Sequence, residues 1–144
     1  MLLPLFIQGQ TTLIPDPNFE QVLIDMGYDS GSIDGSVLTA NINTVQYLNV
    51  SHSNITDLTG IKSFAALKGL NCIHNQLTSL TVYQISTLET LNCYGNLLTN
   101  LNVSQNTALT NLNCEFNYLT SLDVTNNSAL DKLSCGNNHL TSID

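Results

Sequence analysis

The chain has 144 residues, 42% of them hydrophobic, which suits a single domain with one core. Three lysines and no arginine stand against 11 acidic residues, a formal net charge of −8 that excludes nucleic acid as a partner, because phosphate binding needs a basic face. No apolar run is long enough to span a bilayer, so membrane insertion is not expected either. In chain order, residues 1–10 form a short apolar stretch ending near the small residue Gly9, which reads as the remnant of a secretory signal peptide whose basic start lies upstream. That predicts a secreted or cell-surface protein.

Residues 13–43 read as an N-terminal helical cap region. Asp16 is a good N-cap and Pro17 suits the first helical position. Phe19, Val22, Leu23 and Met26 then recur at i, i+3, i+4 and i+7 until Gly27 ends the helix. The apolar stripe is expected to lie across the first turn of residues 44–144 and hide its hydrophobic end. The segment from Asp29 to Gly35 has two acids and two glycines but lacks the alternating oxygen ligands and closing glutamate of a calcium loop, so it reads as an ordinary turn.

Residues 44–144 are written in a repeating unit. Cys72, Cys93, Cys114 and Cys135 are each 21 residues apart, and around each runs L-x-x-L-x-C-x-x-N-x-L. The asparagine of that phrase is Asn75, Asn96, Asn117 and Asn138. A degenerate fifth copy lies upstream at Val45, Leu48, Val50, Ser53 and Ile55. This is the pattern of a leucine-rich repeat. Ten residues on, the apolar phrase recurs as Leu77, Leu80, Val82 and its equivalents, which leaves two short corners per turn and no room for a crossover helix. The expected fold is therefore a β-rich solenoid of five coils, with parallel strands on both faces and a short N-terminal capping helix. Equivalent residues stack in columns about 4.8 Å apart. The leucine columns make the core, and the asparagine column turns the chain and bonds backbone groups that burial would otherwise leave unpaired. Thr56, Thr78, Thr99, Thr120 and Thr141 form a further column with a structural role.

The segment from Leu109 to Val124 resembles the 21-residue IRREKO-type leucine-rich repeat, L-x-x-L-x-C-x-x-N-x-L-x-x-L-D-L, with conservative departures. The lead-in from Ile14 to Asp29 and the segment from Ile55 to Ile61 resemble the N-terminal region of secreted surface leucine-rich proteins of flavobacterial-type Gram-negative bacteria. The resemblance spans residues 13–144. It implies protein binding or adhesion, often within larger exported proteins, although nothing in these residues matches the sorting domain of that family's export pathway.

The cysteines are expected to be reduced, buried and in the role of small hydrophobes, since side chains stacked in a column run parallel into the core rather than towards one another. No C-x-x-C or Cys/His pairing supplies a zinc site, and His52 with His74, at the same repeat position in adjacent coils, lacks a third ligand. Nucleophile elbow, paired-acid and phosphate-loop motifs are missing too, so neither catalysis nor a cofactor is expected. The function expected is a non-catalytic binding module that offers the outer side chains of its main sheet to a protein or glycan. A structural spacer within a larger secreted protein is the alternative. Positions 3, 5 and 7 of each repeat point outward. The asparagines at position 5 are expected to bond to one another as an amide ladder. Exposed aromatics concentrate binding energy, which places the partner site at Asn92, Tyr94, Asn113, Glu115, Phe116 and Tyr118. The repeats are expected to continue beyond Asp144, because the fifth is incomplete there and no capping element follows.

Overall fold

The computed structural model describes residues 9–143. Most of the segment read as a signal-peptide remnant lies outside the described residues. The chain opens with β1 (Thr11–Leu13), α1 (Pro17–Asp25), β2 (Ser36–Leu38) and α2 (Thr39–Ile42). The coils follow, each entering one sheet through a three-residue strand: β3 (Tyr47–Asn49), β4 (Gly69–Asn71), β5 (Thr90–Asn92), β6 (Asn111–Asn113) and β7 (Lys132–Ser134). These five strands are parallel, in sequential order, and paired in the register that the repeat dictates, Leu48 beside Leu70, Leu91, Leu112 and Leu133. The expected fold class is therefore observed, a parallel-stranded leucine-rich solenoid with a short helix across its first turn.

The opposite face is extended but barely laddered. Between neighbouring coils it carries one isolated parallel bridge among the described residues, Leu122 with Ile143. Backbone bonds at the corner leading into it, such as Leu97 N to Leu77 O (2.9 Å) and Tyr118 N to Leu98 O (2.8 Å), recur once per coil. Beyond that corner, side chains compete for the backbone: Asn102 accepts from Ser104 N, and Asp123 accepts from Thr125 N and its hydroxyl. Such local bonds replace ladder pairing with turns.

Inside, the columns are as expected. Leu67, Leu88 and Leu109, Leu77, Leu98 and Leu119, and Cys72, Cys93 and Cys114 are all fully buried. Burial pushes the Cys72 and Cys114 thiols up to about 12 and the Cys93 thiol well above its ordinary range, with neighbouring thiols in the column adding to the effect on Cys93 and Cys114. Cys135, expected to be buried with the others, is only half-buried, as are Leu130, Leu133 and Leu140 of the same coil. Each coil's apolar atoms are covered by its neighbours on both sides, and this coil has a described neighbour on one side only. A further column holds Phe64, Ile85, Asn106 and Asn127. The two amides donate to carbonyls of the preceding coil, Asn106 to Val82 and Ile85, Asn127 to Val103 and Asn106, while their own oxygens are buried without a partner.

Two carboxylates fasten the cap, one to the first coil and one to its own loop. Asp16 caps α1 through one oxygen, accepting from Asn18 N (2.9 Å) and Phe19 N (3.1 Å). Its other oxygen accepts from Thr56 N, the Thr56 hydroxyl (both 2.8 Å) and Asp57 N (3.1 Å) in the first coil. Burial alone would raise this carboxyl, but the bonds from Thr56, Phe19 and Asp57 outweigh it and hold its pKa below the ordinary value. Glu20, fully buried, accepts from Asp34 N and Gly35 N, which folds the loop 29–35 back over the helix. Phe19 stacks on Phe64 (centroids 6.3 Å apart), and Phe19 and Leu23 are fully buried with Val22 partly so. Met26, expected on the same stripe, is exposed because the helix has ended: Met26 is the C-cap, and Gly27 turns the chain at φ 76°. The cap holds more than the expected helix: β2 and α2 lie within residues 13–43, and β1, which begins at Thr11, pairs antiparallel with β2.

Asp16→Ala is expected to destabilise the chain by about 2–4 kcal/mol, since it removes an N-cap and leaves three donors of the first coil unpaired. Because the folded pKa of Asp16 is depressed, its contribution is complete well above about pH 4 and disappears as pH falls through the folded value. Urea unfolding of the parent and Asp16→Ala proteins from pH 6 to pH 2 checks both, the difference shrinking towards the acid end. For the thiols, titration of the native chain is expected to modify Cys135 first, with Cys72, Cys93 and Cys114 reacting only after denaturant.

Candidate functional site

The corner after each main strand carries the chemistry, and its geometry starts from the asparagine at position 9. Asn96 donates through Nδ2 to Cys72 O of the coil before (3.0 Å) and to Cys93 O of its own (3.1 Å), while its Oδ1 accepts from Leu77 N (3.1 Å). Asn75, Asn117 and Asn138 repeat the arrangement. The residue before each of them, and before Ser53 at the same position in the first coil, closes the turn in the left-handed region: His52 (φ 56°), His74 (φ 50°), Gly95 (φ 67°), Phe116 (φ 54°) and Asn137 (φ 53°). Their backbone N–H groups point to the next coil, as in His74 N to Tyr94 O (2.9 Å) and Phe116 N to Gly136 O (3.2 Å).

This conformation costs a residue other than glycine on the order of 1–2 kcal/mol. Four of the five coils nevertheless place a larger side chain there, three of them aromatic. The rings form a continuous row along the solenoid edge: His52 to His74, 4.8 Å between centroids; His74 to Tyr94, 5.0 Å; Tyr94 to Phe116, 5.0 Å. The row bridges Gly95 because that residue has no side chain. A Cβ at position 95 would lie 2.6 Å from His74 Nδ1, so glycine is where the His74 ring passes to reach Tyr94.

Of the residues expected to form the site, Tyr94 and Phe116 touch directly, and Phe116 is 49% exposed. Tyr118 is equally exposed but belongs to a second, shorter row on the far side of Asn117, where it pairs with His139 at 5.8 Å. Glu115 reaches along the edge towards Gly136, its Oε1 3.0 Å from where a Cβ at 136 would stand. Asn92 and Asn113 end their strands half-buried. Their expected amide ladder is not formed. Asn92 Oδ1 accepts from Tyr94 N (3.3 Å) and Asn113 Oδ1 from Glu115 N (3.1 Å), as do Asn49 and Asn71 from Ser51 N and Ile73 N. Each amide closes an Asx turn within its own coil, because the backbone donor two residues on is nearer than a neighbouring amide. His52 and His74 belong to the row of rings, although sequence reasoning set them aside as a pair without a third metal ligand. Their shared repeat position with Phe116 was the signal. Among the described residues, no group of three metal-ligating side chains converges.

The fold and this edge define a leucine-rich repeat solenoid, and the comparisons with known proteins agree at that level. The functional domain of InlJ from Listeria monocytogenes is similar at 32% identity over 94% of this chain and 36% of that one, with a TM-score of 0.64. That domain is described as including a cysteine ladder, the feature that Cys72, Cys93, Cys114 and Cys135 make here. An internalin, InlF, from the same species matches 90% of this chain and 46% of its own with a TM-score of 0.70, at 17% identity. The chain thus spans about a third to a half of the length of these two structures. Neither a protein-family model nor a curated protein sequence matches it.

Two substitutions separate strain from packing at the edge. Phe116→Gly relieves the left-handed backbone and loses one ring contact, terms of opposite sign and similar size, so stability should stay within about 1 kcal/mol of the parent. Gly95→Ala forces a side chain into both the strained conformation and the His74 ring, and should lower stability by about 1–3 kcal/mol. Equilibrium urea unfolding followed by circular dichroism measures both.

Proposed function

We propose that the chain is a non-catalytic protein-binding or adhesion module of a secreted or cell-surface protein, with repeats of the IRREKO type, and that it engages its partner along the aromatic edge. Tyr94, Glu115 and Phe116 form the centre of that contact, with Tyr118 on one flank and Asn92 and Asn113 on the other. The observation that carries this reading is the row of rings, three of whose four members, His52, His74 and Phe116, are held at left-handed positions. A solenoid corner needs only glycine or asparagine there, so aromatic side chains kept at a cost in stability point to a role outside folding. The rings meet at centroid separations near 5 Å and at angles of 39°, 81° and 50°, so the row offers both edges and partly free faces to a partner. Exposed aromatic side chains concentrate binding energy in protein interfaces, which favours a protein partner. Five strands at about 4.8 Å spacing make a small surface, well under the roughly 800 Å² per partner of a standard interface, and affinity from these coils alone should be weak.

The spacer reading is favoured by one observation, the interchangeable small polar side chains exposed on the second face, such as Thr78 and Ser79 or Thr120 and Ser121. A photo-crosslinking phenylalanine analogue at position 116, with the same group at Asn100 on the second face as control, distinguishes the two. Crosslinks to one protein from position 116 alone, lost when Tyr94→Ala is added to the folded chain, support the binding module. Equal crosslinking from both positions, or none from 116, supports the spacer.

A further inference from the structure

The outer face of the main sheet forms a shallow groove of about 500 Å³ that borders the aromatic edge at Asn92 and Asn113 and is lined by none of its four rings. Its lining differs from the rest of the molecule in charge. The chain carries 11 acids against three lysines, yet no acid lines the groove, and Lys132 does. The one ion pair among the described residues joins Lys68 to Glu89, so Lys132 enters the groove without a carboxylate partner there.

The groove is also lined with unspent donors. The amides of Asn49, Asn71, Asn92 and Asn113 use their oxygens to close turns in their own coils, and among the described residues their Nδ2 groups make no hydrogen bond. Because the strands are parallel and in register, these donors form a straight line with an interval of about 4.8 Å. At one end Tyr47, 67% exposed, lies across Gly69: a Cβ at position 69 would stand 2.7 Å from Tyr47 Cδ1. Glycine there leaves room for the ring to rest on the neighbouring strand, and no second ring covers its outer side among the described aromatic pairs.

A ligand that matches this face must offer acceptors at the interval of the donors. An extended peptide presents carbonyls along one edge every second residue, about 6.6 Å apart, and falls out of step within one or two coils. Successive pyranose rings of an extended 1,4-linked glycan are turned over relative to one another, but each carries hydroxyl or ring oxygens on both edges, so every ring offers the line of amides an acceptor at close to the strand spacing and an apolar face for Tyr47. Lys132 is the one charged side chain in the lining, too little positive charge to hold a polyanion. We infer that the outer face of the main sheet binds a neutral, extended 1,4-linked polysaccharide, one sugar ring per coil, seated on Tyr47 and held by the amide donors of Asn71, Asn92 and Asn113.

The test uses cellohexaose and isothermal titration calorimetry on the full chain. Binding is expected, and the double substitution Asn71→Asp and Asn92→Asp should weaken it about tenfold or more, since aspartate keeps the acceptor that closes each turn and removes the outward donor. Tyr47→Ala should weaken it similarly, and Gly69→Ala should do so by lifting the Tyr47 ring. The combined Tyr94→Ala and Phe116→Ala variant should bind cellohexaose as the parent does, which separates this site from the edge. No heat of binding at the solubility limit of the sugar overturns the inference, as does undiminished binding by the folded Asn71→Asp, Asn92→Asp variant. Binding of an extended octathreonine peptide in place of cellohexaose would also overturn it, making the face a strand-recognition surface.

Discussion

The amide at position 9 is the interaction on which the rest of the solenoid depends. Strands of three residues are too short to hold a stack by themselves, and the second face contributes almost no ladder. Asn75, Asn96, Asn117 and Asn138 supply what is missing. Each joins two coils by donating to a carbonyl in both and accepting from the backbone of the earlier one. Bonds of this kind are individually modest, but left unmade they would bury several backbone groups per coil without partners. The same amide sets the geometry of function. The residue just before that position is left-handed in every coil, and in three of the five it carries an edge ring.

Charge is distributed along the same logic. Asp16 and Glu20, two of the 11 acids, are buried in the cap and spent on backbone N–H groups, one joining helix to coil and the other folding the loop 29–35. Such carboxylates accept several hydrogen bonds each, which compensates their burial. The groove, by contrast, holds none of the remaining acids. A chain that is acidic as a whole therefore presents one face free of carboxylates, and the contrast is local rather than a matter of total charge.

Much of this was legible from spacing. The 21-residue period places Leu48, Leu70, Leu91, Leu112 and Leu133 in register, puts the cysteines in the core, and makes Asn75 and its equivalents the turn column, because a repeat forces identical residues into identical environments. Asp16, Pro17 and Gly27 marked the helix by their backbone preferences. What escaped was decided by competition between near partners. Residue type does not tell whether Asn92 bonds to Asn113 or to its own Tyr94 N, and the backbone won. Left-handed backbone at His74 and Phe116 was hidden because glycine, its usual mark, occurs at that position only in Gly95. Strands β1 and β2, three residues each, are too short for alternation to reveal.

The fastening amides all reach backwards along the chain. Asn75 grips the coil that contains Val50, Asn96 the coil of Cys72, and so on to Asn138, whereas the first coil has Ser53 at that position and is held from the other side by Asp16. Extension of the solenoid is consequently one-way. A coil added after an existing one arrives with its own fastener and asks nothing new of its predecessor. A coil added in front of the first would find the Asp16 contact already taken and no amide in Ser53 to seize it. Variation in the length of such a molecule, by duplication or loss of 21-residue units, is thereby channelled away from the capped end.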